Sequence, residues 1–514
     1  MNYLIGIDVG TSALKSVLFD ETGEIIASAS KAYPMQQPRN GWAEQHPEDW
    51  KSATLQTLQE IMRTSGIASK DIVGIGLSGQ MHGLVMMDEH DEVIRPSIIW
   101  CDQRTNEEVM DMEAVMPRED WIRITGNPPL TGWTAAKLLW VRKQEPEHYA
   151  RCAHILLPKD YIRWVLTGSY ASDVSDASGM QLMDIQQRCW SQEVLEKISI
   201  EERMLPKLYE SCEVTGTLLP IIAEFTGLSI KTKVVAGAGD NAAAAIGTGI
   251  VKDGLAFTTI GTSGVVFAHC SSMQIDPLGR VHTCCAAVPG AWSVMGVTQA
   301  AGLSLSWFQE QFCAEEQLLA EKTHRDPYDI MNDEIKDIAP GSDRLLYLPY
   351  LMGERTPHLD PYCRGVFFGL SAMHTRAHLM HALMEGVAYS LADCGDIIKE
   401  LNIDVKEMMV CGGGGKNSIW RQMLANLYQC PITTIRQSEG PALGAAILAG
   451  IGCGIYSDAD HACTSIIKRE QVMEPMDEHI QPYKEYHALY KELYQQLKGS
   501  FQHLASMPDA MEGN

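Results

Sequence analysis

The sequence predicts an α/β protein made of two related domains, each with a phosphate-facing turn. Three observations carry that prediction. The first is length: 514 residues exceed what one ordinary core organises. The second is a repeated motif. Tyr3-Leu4-Ile5 leads into Gly6-Ile7-Asp8-Val9-Gly10-Thr11-Ser12, and Ala13 to Phe19 leads out, which reads as strand, tight turn, strand. Ala256 to Ile260, Gly261-Thr262-Ser263 and Gly264 to Phe267 repeat the pattern roughly 250 residues later. The third is a set of buried strands that open into glycine-flanked polar loops, the place where α/β sheets bind ligands.

In the first hairpin, Gly10 brings backbone N–H groups close to an anion, and Thr11 and Ser12 add hydroxyls. Lys15 follows within reach of the same turn. Asp8 ends the first strand and is placed to meet a hydrated cation. An ordinary hairpin is the plain alternative for this turn alone. A nucleotide between the two domains would meet both hairpins.

Composition narrows the function. The chain is 45% hydrophobic and 21% charged, as in a soluble enzyme, and no run approaches a membrane span. The N-terminus enters a strand at once and lacks the pattern of a signal peptide. With 41 basic and 65 acidic residues the net charge is −24, which argues against nucleic acid as a partner. An anionic ligand must be held locally, by backbone N–H groups and a metal ion. Fourteen scattered cysteines form no Cys-x-x-Cys pair or metal-site spacing and suit a reducing cytoplasm.

Taken in order, residues 25–29 complete a three-stranded meander, and a helix is expected over 47–65. Ile72 to Leu77 is a short strand ending at Ser78-Gly79-Gln80-Met81-His82-Gly83. His82 there is either a ligand contact or a structural loop histidine. Trp100, Asp102 and Arg104 lie within five residues and suit a polyol, with a plain Asp–Arg pair as the alternative. Asp173, Asp176 and Asp184 read as structural loop carboxylates. Val234-Val235-Ala236 enters Gly237-Ala238-Gly239-Asp240-Asn241, where Asp240 stands near a helix start as either an N-cap or a general base.

Gly247 to Gly254 reads as the connection between domains. In the second half, Met408 to Cys411 opens into Gly412-Gly413-Gly414-Gly415-Lys416-Asn417-Ser418 ahead of a helix, which brings backbone close to a nucleotide. It matches neither a Walker loop nor a Rossmann fingerprint. The small-residue helix opening at Gly440-Pro441-Ala442 is expected to pack under that loop. A final helix over 483–497 presents Tyr486, Leu489, Tyr490, Leu493 and Leu497 as a docking face.

From Gly6 to about Gly450 the sequence resembles the FGGY carbohydrate kinases of the actin-like ATPase superfamily. The resemblance rests on Gly132-x-Thr134-x-x-Lys137-Leu138-x-Trp140-Val141 and on Gly365-x-Phe367-x-Gly369-Leu370 with His378, Leu379 and Glu385. Ser78 to Gly83, Pro158 to Tyr161 and Gly353-Glu354-Arg355-Thr356-Pro357-His358 add to it. It implies two ribonuclease-H-like domains with a cleft between them: a sugar-binding domain over 1–247, a nucleotide-binding domain over 248–470 and a helical segment over 471–514.

The resemblance also implies ATP-dependent phosphorylation of a sugar in the cytoplasm with Mg²⁺. D-xylulose is the sugar expected, and another ketopentose, a polyol or gluconate the nearest alternative. Asp240 is then the general base and Asp8 the metal carboxylate. Met81, His82, Trp100, Asp102, Asp240 and Asn241 face the sugar. Thr11, Ser12, Lys15, Gly261, Thr262, Gly413, Gly414 and Asn417 face the nucleotide. A non-sugar actin-like ATPase has no reason to carry the Met81-His82 loop, and a non-catalytic sensor should lack Asp8 or Asp240. The oligomeric state is left open, a homodimer included.

Overall fold

The computed structural model describes residues 1–436 and 439–507, so the end of the expected helical segment lies outside the described residues. The chain forms two compact units that interleave in sequence. The first holds 1–252, 269–293 and 436–468; the second holds 253–268, 294–435 and 469 onward. These units are a different partition from chain-order cuts at 247 and 470.

The first unit is built on strands β1 (Tyr3–Val9), β2 (Ala13–Asp20), β3 (Ile25–Ala32), β4 (Ile72–Gly79), β5 (Val214–Thr217), β6 (Lys233–Val235) and β7 (Ala238–Gly239). The sheet order is β5-β6-β4-β1-β2-β3, with β7 also on β4. β1, β2 and β3 form the expected antiparallel meander. β4 runs parallel to β1, and β6 and β7 run parallel to β4. Alternate faces bury Ile5, Ile7, Val9, Leu14 and Leu18 against α1 (Pro47–Ser65), whose Trp50, Leu58 and Ile61 are buried. Pro47 sits in its first turn and left-handed Gly66 ends it, as the sequence predicts.

The opposite face is covered by the small-residue helix Gly440–Cys453 and by the helix Asp240–Gly247. This corrects the expected place of the former under the glycine loop. The reason is steric. A methyl on Gly6 would meet the Ala442 carbonyl, one on Gly76 the Ala445 carbonyl, and one on Gly444 the Ala243 carbonyl. Glycines on both surfaces let backbones approach where side chains would hold them apart.

The second unit repeats the plan with β8 (Leu255–Ile260), β9 (Gly264–Cys270), β10 (Trp292–Thr298), β11 (Glu407–Cys411), β12 (Ile432–Ile435) and β13 (Arg469–Met473). Their order is β10-β9-β8-β11-β12-β13. β8 pairs antiparallel with β9 and parallel with β11, and β12 is parallel to β11. The inner order matches that of the first sheet, so the two glycine turns occupy equivalent places.

The long helix Arg376–Glu400 and the final helix Asp477–Ala505 complete this unit. The docking face of the final helix is rotated from the one expected. Tyr483, His487, Tyr490, Leu493 and Tyr494 are buried while Leu489 is exposed. His487 bonds Asp393 at 2.8 Å and Lys491 pairs with Asp396, which ties the two helices together. All 14 cysteines are free thiols. No helix among the described residues is long and apolar enough to cross a membrane.

Candidate active site

Strand register decides what meets at the carboxyl edge of the first sheet. Asp8 on β1 lies opposite Ser78 on β4, and Ala238 and Gly239 on β7 pair with Ser78 and Gly79. Asp240 follows at once as the first residue of its helix, so Asp8, Ser78 and Asp240 converge where parallel strands end. The Ser78 hydroxyl donates to Asp8 Oδ1 at 3.0 Å. Burial raises the Asp8 carboxyl above its ordinary value, and that hydrogen bond opposes the rise. Burial, and then the Asp8 charge, raise Asp240 to about 7. Asp240 Oδ1 accepts from the Asn241 N–H at 2.6 Å and from Asn241 Nδ2 at 2.9 Å. Gly239, not Asp240, holds the N-cap position, which removes the capping alternative.

The loop after β4 brings Met81 and His82 to the same edge. His82 has φ 67°, an uncommon conformation for a side-chain-bearing residue, and such conformations cluster at ligand sites. Its Nδ1 lies 2.9 Å from the Gly179 carbonyl, and its ring stacks on Trp133 at 4.3 Å. Its carbonyl accepts from Lys137 Nζ at 2.7 Å and from the Thr134 hydroxyl at 3.1 Å. Burial lowers the Lys137 ammonium to about 7. Met81 lies against Gly239, where any side chain would displace it. Gln80 Nε2 donates to Gln45 at 2.8 Å and Gln45 Nε2 to the Thr11 carbonyl at 2.7 Å, so polar bonds join this loop to the glycine turn.

The turn itself closes with Gly10 N–H donating to the Ala13 carbonyl at 3.2 Å, and Ser12 is exposed. Trp100 is 44% exposed and its Nε1 donates to the Thr11 hydroxyl at 2.9 Å. Lys15 pairs with Glu439 at 2.6 Å, so it meets the turn as half of an ion pair.

Asp102 departs from the expected polyol contact. It is fully buried, and its oxygens accept from the Ala43 N–H at 2.6 Å and from the Arg104 backbone and guanidinium. Arg104 in turn lies over Trp42 at 3.7 Å. No lone pair of Asp102 is left for a sugar; the pair braces the segment that carries Trp100.

The carboxylates at 173 and 176 are structural, as expected, but they join a charge cluster that sequence spacing did not reveal. Lys159 Nζ lies 2.6 Å from Asp160, 2.7 Å from Asp173 and 3.4 Å from Asp176, all fully buried. The Asp184 carboxylate accepts from the Gln186 and Gln187 N–H groups of its own turn. Trp133 and Lys137 were missed as site residues although they lie in or beside the first signature segment. The signal was the spacing of that segment, whose polar members face His82 rather than a helix surface.

In the second unit a pocket of about 700 Å³ opens beside the other glycine turn. Gly261, Thr262, Gly413, Gly414 and Asn417 line it, together with Asn332. Gly261 N–H donates to the Ser263 carbonyl at 3.0 Å, a closure one residue tighter than that of Gly10 onto Ala13. A side chain on Gly414 would strike Ile260 and Trp420. Asn417 caps the helix Ser418–Tyr428 through Oδ1, and its Nδ2 donates to Asn332 Oδ1 at 2.7 Å. Asn332 was not legible as a pocket residue, because it arrives from a separate helix.

Two duplicated sheets with glycine turns, and paired carboxylates at one sheet edge, define a phosphotransferase of the actin-like ATPase type. The chain belongs to the FGGY family of carbohydrate kinases: residues 3–247 match the family's N-terminal domain and residues 256–453 its C-terminal domain. It is a sugar kinase, and kinases of this family use ATP as substrate. A xylulose kinase of Bacillus subtilis (strain 168) is 39% identical over 97% of this chain and 98% of its own. A crystal structure described as a xyloylose kinase from Brucella ovis superposes with TM-score 0.88 at 35% identity, covering 97% of this chain and 100% of that one. A gluconokinase of Bacillus subtilis (strain 168) is 30% identical over 94% of each chain.

Proposed function

We propose that the protein transfers the γ-phosphoryl group of ATP to the terminal hydroxyl of D-xylulose, giving D-xylulose 5-phosphate. The observation that carries this reading is the convergence of Asp240, Asp8 and the Met81-His82 loop at one sheet edge, in a chain 39% identical to a xylulose kinase. Asp240 is the general base. A carboxyl raised to about 7 is matched to accepting a proton near neutrality. Oδ1 is held by Asn241, which orients the carboxylate. The sugar oxygen forms its bond to phosphorus as the bond to the ADP oxygen breaks, and its proton passes to Asp240.

His82 and Asn241 position the hydroxyls; Trp100 offers an apolar face. Asp102 has no place among the sugar contacts. In the second unit Gly261 and Thr262 with Gly413, Gly414 and Asn417 take the nucleotide; in the first, Thr11 and Ser12 with the Gly10 turn offer donors to phosphate. Such a reaction is carried largely by positioning and charge neutralisation.

The donor set fits Mg²⁺. Asp8 is a half-buried carboxylate whose one protein donor is the Ser78 hydroxyl among the described residues, and its charge raises Asp240 in turn. An oxygen-ligated hard cation relieves both. Asp8 would hold the ion, which supplies neutralisation of the phosphate charge when bound.

The gluconokinase relative supports a second reading, gluconate as acceptor. ADP release measured across pentuloses, pentitols, glycerol and gluconate separates them. The highest kcat/KM is expected for D-xylulose, and a higher value for gluconate would replace this reading with the second.

A further inference from the structure

The segment Pro158-Lys159-Asp160-Tyr161 adds to the family resemblance but has no place in the reaction above. Its lysine is buried in the first unit among three aspartates, and the bonds of one of them, Asp173, lead to the base. Lys159 Nζ lies 2.7 Å from Asp173 Oδ1. The second oxygen, Oδ2, accepts from the Ser175 hydroxyl at 2.5 Å, the Ser175 N–H at 2.8 Å and the Ser211 hydroxyl at 2.9 Å. Lys159, Asp173, Ser175 and Ser211 are all at most 1% exposed. A buried ion cluster contributes little net stability; what it contributes is a fixed geometry for the groups bonded to it.

Both serines hold the backbone that runs into Asp240. The Ser211 carbonyl accepts from the Gly237 N–H at 2.9 Å. The Ser175 hydroxyl oxygen accepts from the Gly239 N–H at 3.3 Å. Its direction is forced. A carboxylate beside an ammonium only accepts hydrogen bonds, so the single hydroxyl proton of Ser175 points to Asp173 and a lone pair is left for Gly239. Across the strand, Ala238 and Gly239 pair with Ser78 and Gly79 of β4. β7 is therefore gripped through β4 and through Asp173, and Asp240 follows it directly. There is little slack for it to move. A Cβ on Gly237 would lie 2.1 Å from the Leu77 carbonyl oxygen, and one on Gly239 would lie 3.0 Å from Met81 Cγ and 3.4 Å from Asp176 Oδ1. The segment that carries Ser175 is tied down further along as well, where the Gly179 carbonyl lies 2.9 Å from His82 Nδ1.

We propose that Asp173 and Ser175 are positioning residues: held by Lys159, they fix the backbone that presents Asp240 and so aim its carboxylate at the sugar hydroxyl. This rests on Asp240 as the base in the kinase reading above. Neither side chain touches substrate or exchanges a proton; the sugar proton still passes to Asp240. A base must lie within hydrogen-bond reach of the proton it takes, and a misplacement of about 1 Å can cost ~10²-fold in rate. Support one residue away from the base is close enough to decide that distance.

The test measures kcat and the dissociation constant of MgADP for S175A, in the unaltered background and in D240N, with melting curves to show that each variant folds. S175A removes the acceptor of the Gly239 N–H and one donor to Asp173. Its kcat should fall ~10–10²-fold, with the binding of MgADP unchanged. In the D240N background the same substitution should cost little further, because the group it positions is already gone. A serine that only supports the fold would cost the same factor in both backgrounds. An unchanged kcat in S175A would overturn the proposal, as would equal losses in the two backgrounds or a loss expressed only as weaker nucleotide binding. If S175A does not fold, S211A decides, since it removes a donor to Asp173 and keeps the Gly239 bond. A smaller fall in kcat, again absent in D240N, is expected there, and a normal kcat overturns the proposal. Normal turnover by D240N itself would instead overturn the base assignment on which the proposal rests.

Discussion

Asp240→Asn separates chemistry from stability at one atom. The amide keeps the shape of the side chain and an Oδ1 that can still accept from Asn241, at the present 2.6 and 2.9 Å. It cannot take a proton from a sugar hydroxyl. Loss of a general base costs at least ~10²-fold in kcat. Stability should move the other way. Asp240 is raised from 3.8 to about 7, so the folded protein keeps a proton that the unfolded chain releases above pH 3.8. Below that value the native carboxyl is neutral and costs nothing extra. Between 3.8 and about 7 the fold loses ~1.36 kcal/mol per pH unit relative to a neutral side chain, up to on the order of 4 kcal/mol above pH 7. The asparagine variant escapes this loss. It should melt higher than the unaltered protein at pH 8 in the absence of metal, and the difference should close as the pH falls towards 4. Calorimetry across that range, with ADP release at pH 8, measures both effects. Retained turnover would remove Asp240 as the base; equal melting temperatures at pH 8 would refute the burial of its charge.

Further outcomes follow from the same edge of the sheet. His82→Ala should raise KM for D-xylulose far more than KM for ATP, because a site built to bond hydroxyls loses discrimination when a polar partner goes; initial rates with each substrate varied in turn check this, and equal effects would reject the assignment. Asp8→Ala should lose most activity while the melting temperature holds or rises, since burial already opposes its charge. Full turnover of that variant at ordinary Mg²⁺ would reject the metal role.

Much of this was legible because it is local. Glycine turns, strand periodicity and the amphipathic helix over 47–65 are written in consecutive residues, and so are Asp8 and Asp240 at their strand ends. The partners of buried charges were not legible. Asp102 reads as either a polyol contact or half of an Asp–Arg pair until the Ala43 N–H and the Arg104 guanidinium close around it, and nothing in the spacing around Lys159 shows that Asp160, Asp173 and Asp176 enclose it.

By itself the sequence determined the two glycine hairpins, the strand-end carboxylates and the polar loop from Ser78 to Gly83, because each depends on backbone preferences within a few residues. Tertiary structure alone decided that residues 436–468 fold onto the first sheet, that Lys15 meets Glu439, and which helix faces are buried. Those outcomes depend on which distant surfaces fit. The Gly6 and Gly76 faces accept the Ala442 and Ala445 carbonyls only because both surfaces lack side chains at the same places, and no periodicity along one segment records the shape of another.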